Sequence, residues 1–289
     1  MKLKMIALAA ATMLASVSAM AAIAPGTSNN GELFVAVFDT AAKVSYTLDL
    51  GIRMDTFIAD AQSEAGYSKS WGLALADGNF TSFLSQVNAS NLRWQVMAGD
   101  NFGGALVIGQ QRLLTTVRAG SSDAVIGSPT NAQFATGIGE AQFGSFIAAV
   151  NTTGSHSIPG DLASRSDYSV NGSSVNAESD AGKTYFGETG GTSPTFNSNF
   201  TQLKLDNAVG ASTSFYYMER GVGSNAAKIH AVEFGNSLNS ASFSLTNGAN
   251  GYSLDYTLAA AVPEPGTYAL MLAGLVGIGF VSRRRQSAR

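Results

Sequence analysis

Apolar residues along the chain follow two rhythms. Glu32-Leu-Phe-Val-Ala-Val-Phe38 is a near-continuous apolar run between Asn29-Asn30-Gly31 and Asp39, the pattern of a strand buried on both faces. From Lys43 to Leu50 the run alternates. Val44, Tyr46 and Leu48 oppose Lys43, Ser45, Thr47 and Asp49, which predicts a half-buried strand joined to the first as a hairpin through Asp39-Thr40-Ala41-Ala42. Trp71 to Leu75 predicts a short strand, Asn91 to Met97 a strand with Leu92, Trp94 and Val96 inward, and Gly104 to Ile108 with Arg112 to Arg118 a further pair. Strands return at Thr201–Leu205, Ser214–Met218, Ile229–Phe234, Ala241–Leu245 and Tyr252–Leu258. Helical spacing links Phe80, Phe83, Leu84 and Val87 behind an Asp77-Gly-Asn79 cap. It also links Phe134, Ile138, Phe143, Ile147 and Val150, interrupted by Gly137 and Gly139. From Asn151 to Asn199 the periodicity is lost in Ser, Gly, Asn and Thr, which predicts a long loop with one small hairpin near Tyr185-Phe186. No short-period repeat is visible. The pattern predicts a mainly β fold: an antiparallel β-sandwich of jelly-roll type with one or two short helices.

The two ends depart from this pattern. Lys2 and Lys4 precede an apolar stretch from Met5 to Val17 and the small residues Ala19-Met20-Ala21, the layout of a secretory signal peptide cut after Ala21. A cut after Ala24 would put Pro25 directly behind the scissile bond. At the other end stand Val262-Pro263-Glu264-Pro265-Gly266, an uncharged run from Tyr268 to Val281, and Arg283-Arg284-Arg285. Pro263 and Pro265 fix φ and remove donors, so Val262 to Pro265 is expected to be extended and to present Glu264 in an open backbone. The apolar run, as a helix, rises about 21 Å against a hydrocarbon core of about 30 Å, with Thr267, Ser282 and the arginines reaching the interfaces. Gly274, Gly277 and Gly279 permit close helix contact, and the arginines stay on the cytoplasmic side. The chain therefore divides into a signal peptide (1–21), a β domain (22–261) with its loop at about 151–199, and a C-terminal segment with a transmembrane helix (262–289).

Composition sharpens the picture. The formal net charge of -3 hides an asymmetry: Lys2, Lys4, Arg283, Arg284, Arg285 and Arg289 are six of the 17 basic residues. The remaining 11 stand against 20 acidic residues, a net of -9 for the stretch between the basic ends. Such a surface repels nucleic acid and anionic lipid. With no cysteine, there is no disulfide and no thiolate chemistry, so stability must come from a core. Thirty-two glycines and only 13% charged residues suit an extracellular β protein rich in turns.

Candidate chemistry within the β domain is sparse. His156 and His230 stand in a loop and in a predicted strand, without the spacing of a zinc site or a triad. Gly221-Val-Gly-Ser-Asn-Ala226 fits a loose dinucleotide pattern but lacks its βαβ setting. Glu32, Glu140, Glu219 and Glu233 are the acids to weigh for glycoside cleavage. Asp161, Asp167, Glu178 and Asp180 are the acids to weigh for calcium. Of Tyr216 and Tyr217, one should point outward and could stack on sugar, while Trp71 and Trp94 read as core. Asn-X-Ser/Thr triplets begin at 79, 88, 151, 171 and 199 and reflect the composition. No cofactor and no metal are predicted.

The C-terminal segment, over about 27 residues from Val262, resembles the PEP-CTERM sorting signal of Gram-negative bacteria that make exopolysaccharide. The resemblance implies an exosortase substrate, with Pro263, Glu264 and Pro265 as the recognition motif and Arg283, Arg284 and Arg285 as the basic stop. Together with the N-terminal signal peptide, it implies a chain exported by the Sec translocon, trimmed by signal peptidase at Ala21, held transiently in the membrane, and delivered to the outer envelope or beyond. Association with exopolysaccharide, biofilm or adhesion also comes from the resemblance. The reading that follows is a non-catalytic exported protein that binds no nucleic acid. A calcium-dependent lectin-like module and a secreted polysaccharide-active enzyme are the alternatives.

Overall fold

The computed structural model describes residues 23–24, 30–73, 77–100, 111–137, 143–154, 172–180, 185–186, 203–262 and 265–286. The chain is mainly antiparallel β. Its strands are β1 (Glu32–Asp39), β2 (Val44–Arg53), β3 (Tyr67–Leu73), β4 (Leu92–Asp100), β5 (Arg112–Thr116), β6 (Ser173–Ala177), β7 (Asn207–Ala208), β8 (Ser212–Glu219), β9 (His230–Glu233), β10 (Ser242–Gly248) and β11 (Gly251–Leu258). They form one path in the order β3-β11-β10-β8-β5-β4-β1-β2-β6, with β7 on β4 and β9 on β8. The helices are α1 (Met54–Asp60), α2 (Gly78–Leu84), α3 (Asp123–Ile126), α4 (Asn131–Gly137), α5 (Ser145–Val150) and α6 (Pro265–Gln286).

The path curls. One edge of strand β8 changes partner midway, from β10 at Ser212 to Ser214 to β9 at Tyr216 to Glu219, while the other edge pairs with β5 at Phe215 to Glu219. The far strand β3 thereby returns to β2, where the Trp71 indole donates to the Leu50 carbonyl at 3.1 Å. Phe80 of α2 plugs the same seam between Tyr46 of β2 and Tyr252 of β11, with ring centroids 4.9 and 5.4 Å away. A curled sheet is what the strand path shows; two separately hydrogen-bonded sheets of a jelly-roll sandwich do not follow from it.

Strand alternation sends side chains to two cores, because successive residues point to opposite faces. Leu33, Val35 and Val37 of β1 enter a first core inside the curl with Trp94, Phe215, Phe243 and Tyr256. Phe34, Ala36 and Phe38 enter a second core on the outer face, roofed by Phe134 of α4 and by Phe146 and Ile147 of α5. The near-continuous apolar run of β1 is thus explained by burial on both sides.

Several expectations change. Strand β2 is buried on both faces from Val44 to Leu50, not half-buried. Its Ser45 hydroxyl accepts the Phe186 amide at 3.0 Å, so residues 185–186 cover the face that reads as polar. Strand β6 lies inside the stretch expected to be loop. Its single large apolar residue, Val175, gives no pattern, and the free edge of β2 makes it a strand. Residues 203–206 are not a strand, although Leu203 and Leu205 are buried in the second core. Helix α1, for which the sequence offers no strong signal, buries Met54 and Phe57 one turn apart. The expected strand at Gly104–Ile108 and the acids Glu140, Asp161 and Asp167, with His156, lie outside the described residues.

Candidate functional site

The last residues of the folded domain are fastened individually. Beyond β11, the Ala259 carbonyl accepts the Asn236 amide at 2.7 Å, the Ala260 carbonyl accepts the Asn239 amide at 3.1 Å, and the Ala261 N–H donates to the Glu64 carbonyl at 3.0 Å. The holding turn is itself held. Asn236 accepts the Asn239 backbone N–H at 2.8 Å, and the Glu64 carboxylate accepts the Ser237 hydroxyl at 2.8 Å. Gly66 lies beneath the linker with φ +83, and a Cβ there would stand 2.7 Å from the Ala260 nitrogen. Only Gly combines that φ with that approach. The next residue, Val262, is exposed.

Pro263 and Glu264 lie outside the described residues, as does Ala21. Pro265 is the first residue of α6, which runs to Gln286. The sequence places Pro265 in extended chain and starts the helix near Tyr268. Pro is well suited to the first helical turn, where its missing N–H has no partner to lose, so the helix begins earlier. Arg283, Arg284 and Arg285 fall in its final turns instead of following it. Leu270, Met271, Leu272, Leu275, Val276 and Ile278 are each more than half exposed, so α6 is not packed into either core. Among the described residues no helix is long and apolar enough to cross a membrane.

Within the domain, the candidate acids have structural partners. Glu219 accepts the Tyr217 hydroxyl at 2.8 Å and faces the His230 Nδ1 at 3.2 Å. It belongs to a row across β4, β5, β8 and β9, in which Asp100, Arg112, Glu219 and His230 are successive register partners. Arg112 also reaches Asp100 at 2.7 Å and Asp55 at 2.8 Å. Alternating charge on directly opposed positions is how a sheet stabilises polar pairs. Burial, and then the bond to Glu219, push the Tyr217 hydroxyl well up. Glu233 is the register partner of Tyr216, whose hydroxyl is pushed up to about 12 by burial and then by Glu233 and Asp123. Tyr216 is buried and Tyr217 half-buried, so neither is an outward-facing platform. Trp71 and Trp94 are core, as read from the sequence.

Glu32 is buried and accepts the Ala24 N–H at 3.0 Å. Burial raises its pKa, against the Ala24 bond and Arg53. Asp49, also buried, is raised well above the usual carboxylate range by burial and then by Glu32. Glu178 pairs with Lys43 at 2.5 Å, and Asp180 accepts the Ala177 N–H at 2.6 Å. Among the described residues no cluster of three or more His, Asp or Glu side chains is placed to hold a metal ion. The residues that fasten the linker, Glu64, Asn236 and Asn239, were not singled out by sequence; the Asn-Ser-Leu-Asn turn signal at 236–239 was the available hint.

Residues 261–285 match the model of the PEP-CTERM protein-sorting motif. The chain therefore carries this motif, which implies an exported protein sorted through its C-terminus and processed by exosortase. No curated protein and no solved structure matches the chain.

Proposed function

We propose that this is a non-catalytic exported protein of the outer envelope or extracellular matrix, delivered there by exosortase and associated with exopolysaccharide, biofilm or adhesion. The observation that carries the reading is the coincidence of two boundaries. The sorting motif begins at residue 261, and among the described residues the last backbone group fastened to the domain is the Ala261 N–H. The two meet at Ala261: both described cores lie before the motif, and helix α6, which carries most of the motif, is packed into neither. Removing the tail therefore leaves the domain whole.

The tail acts as a transient hold. Helix α6 has 22 residues and so rises about 33 Å. Its uncharged stretch is shorter than the hydrocarbon core, which favours a brief stay over permanent anchorage. The arginines of the last turns stay on the cytoplasmic side while the domain faces outward. Signal peptidase and the Sec translocon act first, at Ala21, and exosortase reads Pro263, Glu264 and Pro265. The acidic balance of the domain suits a soluble partner of neutral or cation-bridged polysaccharide and disfavours nucleic acid.

Fractionation of an exosortase-bearing producer, with and without its polysaccharide, tests the reading. The expected result is processed protein in the envelope or matrix fraction, redistributed to the medium when the polysaccharide is absent. Retention in the cytoplasm would sink the reading, and a distribution indifferent to polysaccharide would sink its carbohydrate part.

A further inference from the structure

The start of the domain is fastened as closely as its end. Ile23 and Ala24 are buried at 1% and 8% exposure, and the Ile23 side chain belongs to the second core. Asn151, at the C-terminal cap of α5, grips Ile23 with both ends of its amide. Its Oδ1 accepts the Ile23 N–H at 2.9 Å, and its Nδ2 donates to the Ile23 carbonyl at 2.8 Å. Glu32, the first residue of β1, does the same for Ala24. Its backbone N–H donates to the Ala24 carbonyl at 3.3 Å, and its Oε2 accepts the Ala24 N–H at 3.0 Å. Every backbone donor and acceptor of this dipeptide is thus satisfied by two residues, one of them 128 positions away in sequence. Asn151 is itself fixed, because its N–H closes the last turn of α5 on the Ile147 carbonyl at 3.0 Å.

We propose that Ile23-Ala24 is an N-terminal latch of the exported domain, and that leader removal occurs upstream of Ile23, at the Ala21–Ala22 bond. A cut after Ala24 would take a buried isoleucine out of the core, strip the part-buried Asn151 amide of its partner and leave the buried Glu32 carboxyl without the Ala24 N–H, each a cost to the fold. The cut is a simple hydrolysis. Water adds across one peptide bond, Ala21 leaves with the new carboxylate, and Ala22 keeps the new ammonium. The cut leaves the next two residues docked, with Ile23 in the second core. Asn151 opens an Asn-Thr-Thr triplet, and its amide is occupied by this grip. The proposal rests on the export reading only in that a leader is removed; it is independent of exosortase.

The test uses the full chain in an exporting host. The N-terminal peptide of the exported form is identified by mass, and the thermal midpoints of wild type, Asn151→Ala and Ile23→Val are compared. The expected result is a chain beginning at Ala22, with the Asn151→Ala midpoint lowered by about 4–8 °C and faster protease cutting between residues 24 and 30. A chain beginning at Pro25 or later overturns the proposal, as does an Asn151→Ala form with unchanged midpoint and cutting. If Asn151→Ala does not accumulate, a lowered midpoint of the milder Ile23→Val supports the latch and an unchanged one overturns it. A wild-type chain kept inside with its leader intact refutes export instead, and the latch then stands or falls on the same midpoints in that chain.

Discussion

Replacing Phe57 by alanine should unseat helix α1 from the curled sheet. The Phe57 ring is fully buried and lies 5.0 Å from Tyr256, 5.6 Å from Phe215, 5.9 Å from Phe234, 6.1 Å from Tyr67 and 6.2 Å from Phe243. These rings come from β3, β8, β10, β11 and the residue after β9, so one side chain joins one half of the curl. Deleting a buried Phe ring costs about 3–5 kcal/mol through lost transfer energy and the cavity left behind. The tilted and edge-on ring contacts put this site towards the upper end. For a domain of this size each kcal/mol moves the midpoint by about 2–4 °C, so Phe57→Ala should lower it by about 8–16 °C. Phe57→Leu, which keeps most of the volume, should cost under about half as much. The neighbouring exposed Thr56→Ala should stay within about 0.5 kcal/mol. Thermal and urea unfolding followed by circular dichroism measure all three, and amide exchange should quicken at Tyr67 to Leu73. A Phe57→Ala midpoint within about 3 °C of wild type would refute the claim that this ring secures the curl.

Further outcomes follow from the same structure. Asp49 and Glu32 hold their protons more tightly folded than unfolded, so their contribution to stability is full at or below the usual carboxylate range and is lost as pH climbs through their raised values. Asp49→Asn keeps the acceptor for the Gly51 N–H and should gain on wild type as pH rises through that window, by about 1.4 kcal/mol for each unit by which the pKa is raised; unfolding midpoints from pH 4 to 9 check it. Asp206 is buried between Arg93 at 2.7 Å and Arg118 at 2.5 Å, so Asp206→Asn should cost at least about 2 kcal/mol in urea unfolding. Arg220 is buried with its Nε and Nη1 unpaired, and Arg220→Met should be neutral or stabilising by about 1–2 kcal/mol in the same assay. Gly66→Ala forces both a strained φ and a clash with the linker, and should cost about 1–3 kcal/mol while exposing residues 259–262 to protease.

What the sequence revealed was whatever its own periodicity encodes. The double-sided run of β1, the Asp77 cap of α2 and the inward Leu92, Trp94 and Val96 all reflect local chemistry and appear where expected. The features it hid depend on partners far along the chain. Strand β6 exists because β2 offers an edge, and β2 is buried on its polar face because residues 185–186 arrive from beyond that strand. The curl itself rests on β8 sharing one edge between β10 and β9, which leaves no trace in the alternation of Phe215, Tyr216, Tyr217 and Met218. The sorting motif was legible because a linear signal must be carried by consecutive residues. The clamps at Glu64, Asn236, Asn239 and Asn151 were not, since each is an ordinary polar residue until the fold brings a terminus against it.

The most direct test of the account is the C-terminus of the protein recovered from an exosortase-bearing host, read by intact mass and by its last peptide. A signal that is read and removed leaves a chain ending between Pro263 and Gly266, folded as before and lacking Arg283, Arg284 and Arg285. A chain still ending at Arg289 in the membrane fraction would contradict it, because the segment after Ala261 would then be an anchor and not a signal.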